Sequence, residues 1–230
     1  MKIKGFHKTS LIDFKPYIAS VVFVGGCSFR CSYCYNSDLV LNPNSLPDIP
    51  EEEIFNHIES KKTFIDGVCI TGGEPCIYPE LIDFCKKLKD GGFLVKINTN
   101  GSRPDIIKKL IDEKLVDKIS MDIKSSFDNY NDVAGVEVDK FTILKSIEYI
   151  MNSHIDYSFN TTPIPGLVDK KEIFKIARII KGAKKYNLND FLSDKKLVGK
   201  ELENIKTFDK QELEELRKIA EKDIEKVELS

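Results

Sequence analysis

The sequence predicts an α/β fold in which six strand–helix units form an open, partial parallel barrel. Short apolar runs typical of buried strands alternate with longer amphipathic patterns typical of helices, and the connections between them are short. This alternation implies parallel strands joined by right-handed crossovers. Only six units can be counted in the 230 residues, and a closed eight-fold barrel usually needs about 250. We therefore expect an incomplete barrel with a lateral mouth.

The predicted strands alternate with helices along most of the chain. A possible first strand covers residues 3–7, and a possible terminal strand covers 224–229. Between them, apolar runs bounded by turn residues predict the six barrel strands at 18–24, 67–71, 93–98, 116–124, 156–162 and 185–191.

The predicted helices have recognisable start and stop signals. Pro50 and the acidic run 51–53 begin the first one, because proline fixes φ and carboxylates favour the positive helix end. Later helices are expected at 79–91, from 104 onward, and at 141–152, 169–181 and 209–222. We expect one domain over 1–230, with a core at about 18–191 and a helix-and-strand extension at 192–230.

Composition limits the classes of partner. The formal net charge is −2, and acidic and basic residues are interleaved. The sequence therefore has no basic region of the kind that favours binding to nucleic acid. No apolar run approaches a membrane span, and the N-terminus lacks the apolar centre of a signal peptide. We expect a cytoplasmic protein whose thiols are available for metal rather than for disulfides.

Cys27, Cys31 and Cys34 form a C-x3-C-x2-C motif directly after the strand at 18–24. Thiolates so close together are soft ligands, suited to zinc or to an iron–sulfur cluster. Three of them leave one iron of a [4Fe–4S] cluster open, whereas a structural zinc site normally has four ligands. The pattern favours the cluster, while zinc with a fourth ligand from elsewhere, or no metal, remains open.

Distinctive residues also end the next three strands. Gly72, Gly73 and Glu74 follow one strand, Asn100 follows the next, and Asp122 with Lys124 ends the third. Ligands of parallel α/β folds bind at these carboxyl ends. Paired glycines permit close approach of a ligand to the backbone. Period-two alternation would point both charges of the 122–124 segment the same way. A turn at 98–101 and a structural ion pair at 122–124 are the plainer alternatives.

With Tyr33 before its third cysteine, the motif resembles the signature of the radical S-adenosylmethionine (SAM) enzymes. Residues 72–75 are similar to their GGEP motif and residues 99–101 to their TNG segment. The resemblance implies one [4Fe–4S] cluster, held by Cys27, Cys31 and Cys34, whose open iron chelates SAM. An electron then cleaves SAM to methionine and a 5′-deoxyadenosyl radical, which abstracts a hydrogen atom.

The same resemblance implies the set of SAM contacts. The GGEP segment would meet the amino group, and the D-x-K segment would lie near the ribose and the carboxylate. Tyr33 could stack on adenine or shield the cluster, and Tyr35 stands where the closest family commonly has histidine. The expected contacts are Tyr33, Cys34, Tyr35, Gly72, Gly73, Glu74, Asn100, Asp122, Ile123, Lys124 and Asn189.

The order of these motifs most resembles the short activating proteins of anaerobic ribonucleotide reductase and other glycyl-radical enzymes. That resemblance implies a protein substrate, namely a glycine that becomes a stored radical, and flavodoxin or ferredoxin as electron donor. One alternative is a radical SAM enzyme acting on a small molecule such as a deazapurine precursor. Another is a zinc-binding structural module.

Three further cysteines lie outside the motif. Cys69 falls in a predicted strand and Cys85 on a helix face, so we expect both in the core. Cys76 could supply a fourth thiolate, but it would then fill the open iron. A packing role is therefore expected for Cys76 as well.

Overall fold

A computed structural model describes residues 1–229, so Ser230, the last residue of the predicted extension, lies outside it. One eight-stranded sheet runs in chain order from β1 to β8. β1 pairs antiparallel with β2, and every later neighbour pairs in parallel. This confirms the mostly parallel α/β fold. The strands are β1 (Ile3–Ser10), β2 (Ala19–Val24), β3 (Gly67–Gly72), β4 (Leu94–Thr99), β5 (Lys118–Asp122), β6 (Asp156–Thr161), β7 (Tyr186–Leu188) and β8 (Val227–Leu229).

Helices join most of the parallel strands, as the sequence predicts. The helices are α1 (Ser37–Leu41), α2 (Glu51–Ser60), α3 (Leu81–Asp90), α4 (Pro104–Asp112), α5 (Tyr130–Ala134), α6 (Lys140–Met151), α7 (Lys170–Ile179) and α8 (Lys210–Ala220). α1 and α5 are absent from the sequence prediction because five residues are too short to establish a helical period. Within residues 1–229, no helix combines the length and the apolarity needed to cross a membrane.

Three strands are clearly shorter than predicted. β5 ends at Asp122 rather than at residue 124, β7 covers three residues instead of 185–191, and β8 covers three residues instead of 224–229. After β5 and β7 the chain leaves the sheet where polar residues begin to line a cavity. One ladder-like bond continues beyond β7, from the Asn189 N–H to the Thr161 carbonyl at 2.9 Å.

The sheet buries one face of β4 against helices and leaves the other polar. Val95 and Ile97 are fully buried in the main core, together with Leu88 of α3 and Leu110 of α4. Burial of one such aliphatic side chain contributes roughly 1.5–3 kcal/mol. The alternate residues of β4 are only partly buried and point away from this core. The strand pattern therefore provides a packed outer layer and a polar interior.

Candidate functional site

The carboxyl ends of the parallel strands surround a cavity of about 420 Å³. Parallel pairing brings these ends to one edge, so residues far apart in the chain meet there. Ile123 is the exception among the predicted site residues, because its side chain is fully buried in the core. The others line the cavity: Cys27, Cys31, Tyr33, Cys34, Tyr35, Gly72, Gly73, Glu74, Asn100, Asp122, Lys124 and Asn189.

The cysteine loop is shaped by its own hydrogen bonds. The Phe29 N–H donates to Cys27 Sγ at 3.3 Å, and the Cys34 N–H donates to the Cys31 carbonyl at 3.1 Å. Arg30 Nη1 donates to the carbonyls of Cys27 and Phe29, both at 2.8 Å. These bonds hold the three thiol-bearing residues in one compact turn.

Two segments that are distant in the chain hold the cysteine loop in place through backbone hydrogen bonds. The Arg30 N–H donates to the Ala134 carbonyl at the end of α5, at 2.7 Å. A strap, defined here as residues 192–206, crosses the other half of the loop. There the Val198 N–H donates to the Cys34 carbonyl at 3.0 Å, and the Gly199 N–H donates to the Ser32 carbonyl at 2.7 Å. The sequence does not predict the strap, because its composition is that of an ordinary polar linker.

Burial makes the free thiolates unfavourable. It raises the pKa of Cys27 to about 12 and of Cys31 to about 11, against the opposing ammonium of Lys124. A bound metal reverses this preference, because coordination deprotonates a thiol. The three cysteines thus have the donor chemistry of an iron–sulfur ligand set.

This ligand set differs from a site for a single metal ion. Among residues 1–229, no three His, Cys, Asp or Glu side chains form a group able to hold a single metal ion. Cluster ligands bind separate irons and need not converge on one point. The three thiols on one loop therefore fit a cluster by their donor type and by the cavity that they share.

The two glycines at the end of β3 are required by close packing. A Cβ on Gly73 would lie 1.8 Å from the Gly26 carbonyl oxygen, and Gly72 has φ +115°. Asn36 Nδ2 donates to the Gly72 carbonyl at 3.2 Å. The bare backbone of β3 consequently passes next to the start of the cysteine loop and borders the cavity.

The Glu74 carboxylate is used in hydrogen bonds within the protein, although its motif predicts a SAM contact. Its Oε1 accepts from Thr99 Oγ1 at 2.7 Å and from the Cys76 N–H at 3.0 Å. Its Oε2 accepts from the Asn100 N–H at 2.6 Å. Burial raises the pKa of this carboxyl, although the hydrogen bonds oppose the shift. Glu74 thus ties the end of β3 to the end of β4.

Asn100 continues this connection toward the cysteines. Its Nδ2 donates to Ser28 Oγ at 3.0 Å and to Cys27 Sγ at 3.7 Å, and its Oδ1 accepts from the Ser102 N–H at 2.9 Å. The turn after β4 therefore contacts the first predicted cluster ligand.

Asp122 and Lys124 form an ion pair at the carboxyl end of β5, on another side of the cavity. Lys124 Nζ lies 2.9 Å from Asp122 Oδ2 and 5.6 Å from the centre of the Tyr33 ring. Asn160 Nδ2 donates to the other Asp122 oxygen at 3.2 Å. Burial disfavours the Lys124 ammonium, but Asp122, Tyr33 and Cys31 outweigh it and hold the pKa of Lys124 well above its usual value.

The remaining cysteines are buried away from this wall. Cys69, Cys76 and Cys85 are each fully buried, and none of them lines the cavity. The predicted burial of Cys69 and Cys85 is therefore confirmed, and Cys76 and Cys85 lie in the main core.

Sequence reasoning missed two residues of the cavity wall, Lys96 of β4 and Ser120 of β5. They line the cavity together with Asn98, Asn160 and Asn187, which the sequence places near strand ends. Period-two alternation on β4 could have indicated Lys96, since it shares a face with Asn98 and not with Val95 or Ile97.

Comparison with known proteins gives consistent results. Residues 21–180 match the model of the radical SAM superfamily. A Methanocaldococcus jannaschii protein, provisionally named a glycyl-radical enzyme activating enzyme, is 33% identical over 98% of this chain and 94% of its own. A pyruvate formate-lyase-activating enzyme of Clostridium pasteurianum is 30% identical over 94% of this chain and 95% of its own.

Solved structures share the fold at low sequence identity. TYW1 with a lysine–pyruvate adduct superposes with a TM-score of 0.61 at 17% identity, covering 90% of this chain and 74% of its own. Streptococcus suis SuiB gives a TM-score of 0.67 at 13% identity, covering 91% of this chain and 48% of its own. At such identity these matches support the architecture alone.

Proposed function

Because this chain belongs to the radical SAM superfamily and, within it, to the glycyl-radical enzyme activating enzymes, we propose that its substrate is one glycine of a partner protein. The family implies a [4Fe–4S] cluster and SAM as cofactors. Cys27, Cys31 and Cys34 would hold the cluster, which would supply an electron for the reductive cleavage of SAM to methionine and to the radical that would remove the glycine hydrogen. The product is a glycyl radical stored in the partner.

The observation that carries the proposal is the shared cavity. Cys27, Cys31 and Cys34 would hold one cluster, and they line the same space as the partly buried backbone of residues 72–73 and the ion pair of residues 122 and 124. SAM carries an ammonium, a carboxylate and a ribose. Backbone carbonyls suit the ammonium, and a lysine beside an aspartate suits the carboxylate and the ribose hydroxyls.

The chain's own residues provide the orientation. The turn after β3 is fixed against β4 by Glu74, and Asp122 is fixed by Asn160. Tyr33 lies beside Lys124 at the cavity wall, where its ring could cover adenine or the cluster. Tyr35, whose exposed fraction is 59%, stands at the rim in place of the usual histidine and would contribute no imidazole chemistry.

Finer points complete the proposal. We propose anaerobic ribonucleotide reductase as a candidate partner, a single cluster per chain, and flavodoxin or ferredoxin as donor. A reducing cytoplasm would keep the cysteines out of disulfides, so that their thiolates can hold a cluster. The zinc-module interpretation would leave the glycine turn and the 122–124 ion pair without a role.

The test is anaerobic incubation of the iron- and sulfide-reconstituted protein with SAM, a reductant and a candidate glycyl-radical enzyme. We expect a glycine-centred doublet in the EPR spectrum of the partner, and none with the Cys31→Ala variant. A different result would point to a small-molecule substrate. In that case no candidate partner would show the doublet, and a metabolite would stimulate the formation of 5′-deoxyadenosine.

A further inference from the structure

A second, smaller cavity of about 230 Å³ lies outside the site, between the β5–α5 loop and α7. Ser126 and Phe127 line it from the loop, and Phe174, Lys175 and Arg178 line it from the helix. In the part of the chain that the structure describes, the two cavities share no lining residue. A ligand can therefore occupy this smaller cavity, called here the α7 pocket, while SAM and the substrate segment occupy the larger one.

The outer face of α7 beside the pocket is basic. Lys171, Phe174 and Arg178 are exposed at spacings of three and four residues, so they form one stripe along the helix, called here the α7 stripe. Lys175 is paired with Asp128 at 2.6 Å, whereas Lys171 and Arg178 have no carboxylate partner among residues 1–229. The Arg178 guanidinium instead lies 6.0 Å from the centre of the Phe174 ring. These two cations flank an exposed aromatic ring on a chain whose net charge is −2.

The α7 pocket is connected to the cysteine loop through α5. The Phe127 ring stacks on the Tyr130 ring with centres 5.8 Å apart, and Tyr130 meets the Phe29 ring edge to face at 6.3 Å. Phe29 lies between Cys27 and Cys31 in the sequence. Two ring contacts therefore lead from the pocket to the loop that bears the predicted cluster ligands.

A basic stripe beside an apolar pocket has the features of a docking surface for an acidic protein. Complementary charge steers association and makes it sensitive to salt, and arginine and aromatic side chains are enriched where binding energy concentrates. Electron-transfer complexes have small interfaces, below about 1,200 Å², so one helix face and one pocket suffice. Resting on the proposed function, which needs an electron from outside, we propose that the α7 pocket and the α7 stripe dock the small acidic electron carrier that reduces the cluster.

The position of the surface favours an electron carrier over the glycine-bearing partner as its occupant. The partner's glycine must reach the larger cavity, where SAM would be cleaved, whereas an electron needs only a donor close to the cluster ligands. In the docked complex the reduced flavin or iron–sulfur centre of the carrier loses one electron, and the oxidised [4Fe–4S] cluster gains it. No atom is transferred, and the carrier leaves oxidised by one electron.

The test measures the binding of two carriers, an FMN-loaded flavodoxin and a [4Fe–4S] ferredoxin, to the reconstituted protein by calorimetry at low and at high salt. We expect at least one carrier to bind, with an affinity that falls as salt increases. Arg178→Glu and Lys171→Glu should each weaken this binding roughly threefold to tenfold, because an attraction becomes a repulsion. Phe174→Ala should weaken it by roughly fivefold or more through loss of an aromatic contact.

Lys86→Glu is the matched control. Lys86 is exposed on α3, has no carboxylate partner among residues 1–229 and lies outside the α7 pocket. This variant makes the same change in net charge as Arg178→Glu, so it separates a local contact from general electrostatic attraction. Carrier affinity in Lys86→Glu should stay within about twofold of the wild-type value. Urea unfolding of each variant checks that its fold is intact.

A kinetic measurement tests whether the docked complex transfers the electron. A pre-reduced carrier at subsaturating concentration is mixed anaerobically with the reconstituted protein, and the absorbance of the carrier follows the loss of its electron. We expect the transfer to slow in Arg178→Glu by about the factor by which binding weakens. With dithionite in place of the carrier, every variant should cleave SAM at the wild-type rate, because this small reductant needs no docking surface.

The results distinguish this inference from the function on which it rests. Carrier affinity that is equal in Arg178→Glu and Lys86→Glu, or no binding of either carrier by the wild-type protein, would overturn the docking surface. Weaker binding of a glycyl-radical partner, with carrier binding unchanged, would also overturn it by assigning the surface to that partner. SAM cleavage with dithionite would still support the proposed function in these cases. Failure of that cleavage in the wild-type protein would instead remove the proposed function, while the binding measurements would still decide the docking surface.

Discussion

Two walls of the cavity place charge at strand ends in different ways. On the β3–β4 wall, Glu74 is 1% exposed, and its oxygens accept from two backbone N–H groups and one hydroxyl. On the β5–β6 wall, Asp122 and Lys124 pair with each other, and their side chains remain 41% and 13% exposed. The first wall uses charge to join strands, whereas the second keeps its charges within reach of a ligand.

The difference has a physical origin in desolvation. A buried carboxylate without a cation persists only if its oxygens are satisfied by hydrogen bonds, and Glu74 consequently has little capacity left for SAM. A partly solvated ion pair costs less to maintain and can exchange partners. We therefore expect substitutions on the first wall to act mainly on folding and those on the second mainly on SAM affinity.

The largest effect is expected for Glu74→Ala. The variant leaves the Asn100 and Cys76 N–H groups and the Thr99 hydroxyl without their acceptor, each at roughly 1–3 kcal/mol. We expect the free energy of unfolding in urea to fall by about 3 kcal/mol or more. Glu74→Gln, which retains one acceptor oxygen, should recover part of the loss. A loss below about 1 kcal/mol in Glu74→Ala would show that the two walls do not differ in this way.

Lys124→Met should have the second largest effect, and it should appear in binding. Removal of a charge-assisted hydrogen bond of roughly 1.5–3 kcal/mol predicts SAM affinity at least about tenfold weaker in calorimetry. Unfolding stability should change by less than it does in Glu74→Ala. The control is Lys170→Met, which removes an exposed lysine paired with Glu215. Equal SAM affinity in the two variants would contradict the role of the second wall.

Asn160→Ala tests whether that wall is oriented from β6. Asn160 donates to Asp122 at 3.2 Å, so its loss should weaken SAM binding roughly threefold to fivefold through a misplaced carboxylate. The double variant with Lys124→Met should lose less than the product of the two single effects, because both act on Asp122. A simple product of the two effects would show that the residues act independently.

The smallest effect concerns Glu228, a surface carboxylate on the outer edge strand. Lys185 Nζ at 2.7 Å and Lys226 Nζ at 2.5 Å lower the pKa of Glu228 to about 2. Since the folded pKa is below the unfolded value of about 4.3, the stabilisation is present above that pH and is lost as pH falls toward 2. Glu74 is shifted in the opposite direction, because burial disfavours its charged form.

Solvent screening limits the contribution of Glu228 to at most about 1 kcal/mol. The measurement is the difference in unfolding free energy between the wild-type protein and Glu228→Gln from pH 6 to pH 2. We expect the difference to shrink as the pH falls. A constant difference over this range would show that the ion pairs contribute nothing to stability.

The contacts around the deep part of the cavity could not be predicted from the sequence. The strand at β4 was predicted, but the neighbours of its polar face were not, because the Lys96–Asp13 bond joins residues 83 positions apart. The strap over the cysteine loop was missed for the same reason, since the Val198 N–H meets a carbonyl that belongs to Cys34. Neither contact leaves a local pattern, so only the folded chain reveals it.

The sequence by itself determined the alternation of strands and helices, the three closely spaced cysteines and the glycine turn after β3. All of these are local features, because periodicity and turn chemistry operate over a few neighbouring residues. Tertiary structure decided that the Glu74 carboxylate would bind β4, that Lys124 would turn back to Asp122 beyond the strand, and that Lys96 and Asn98 would face the cavity. Those outcomes depend on which strands become neighbours and on how burial is balanced by hydrogen bonds, and both are set only when the whole sheet assembles.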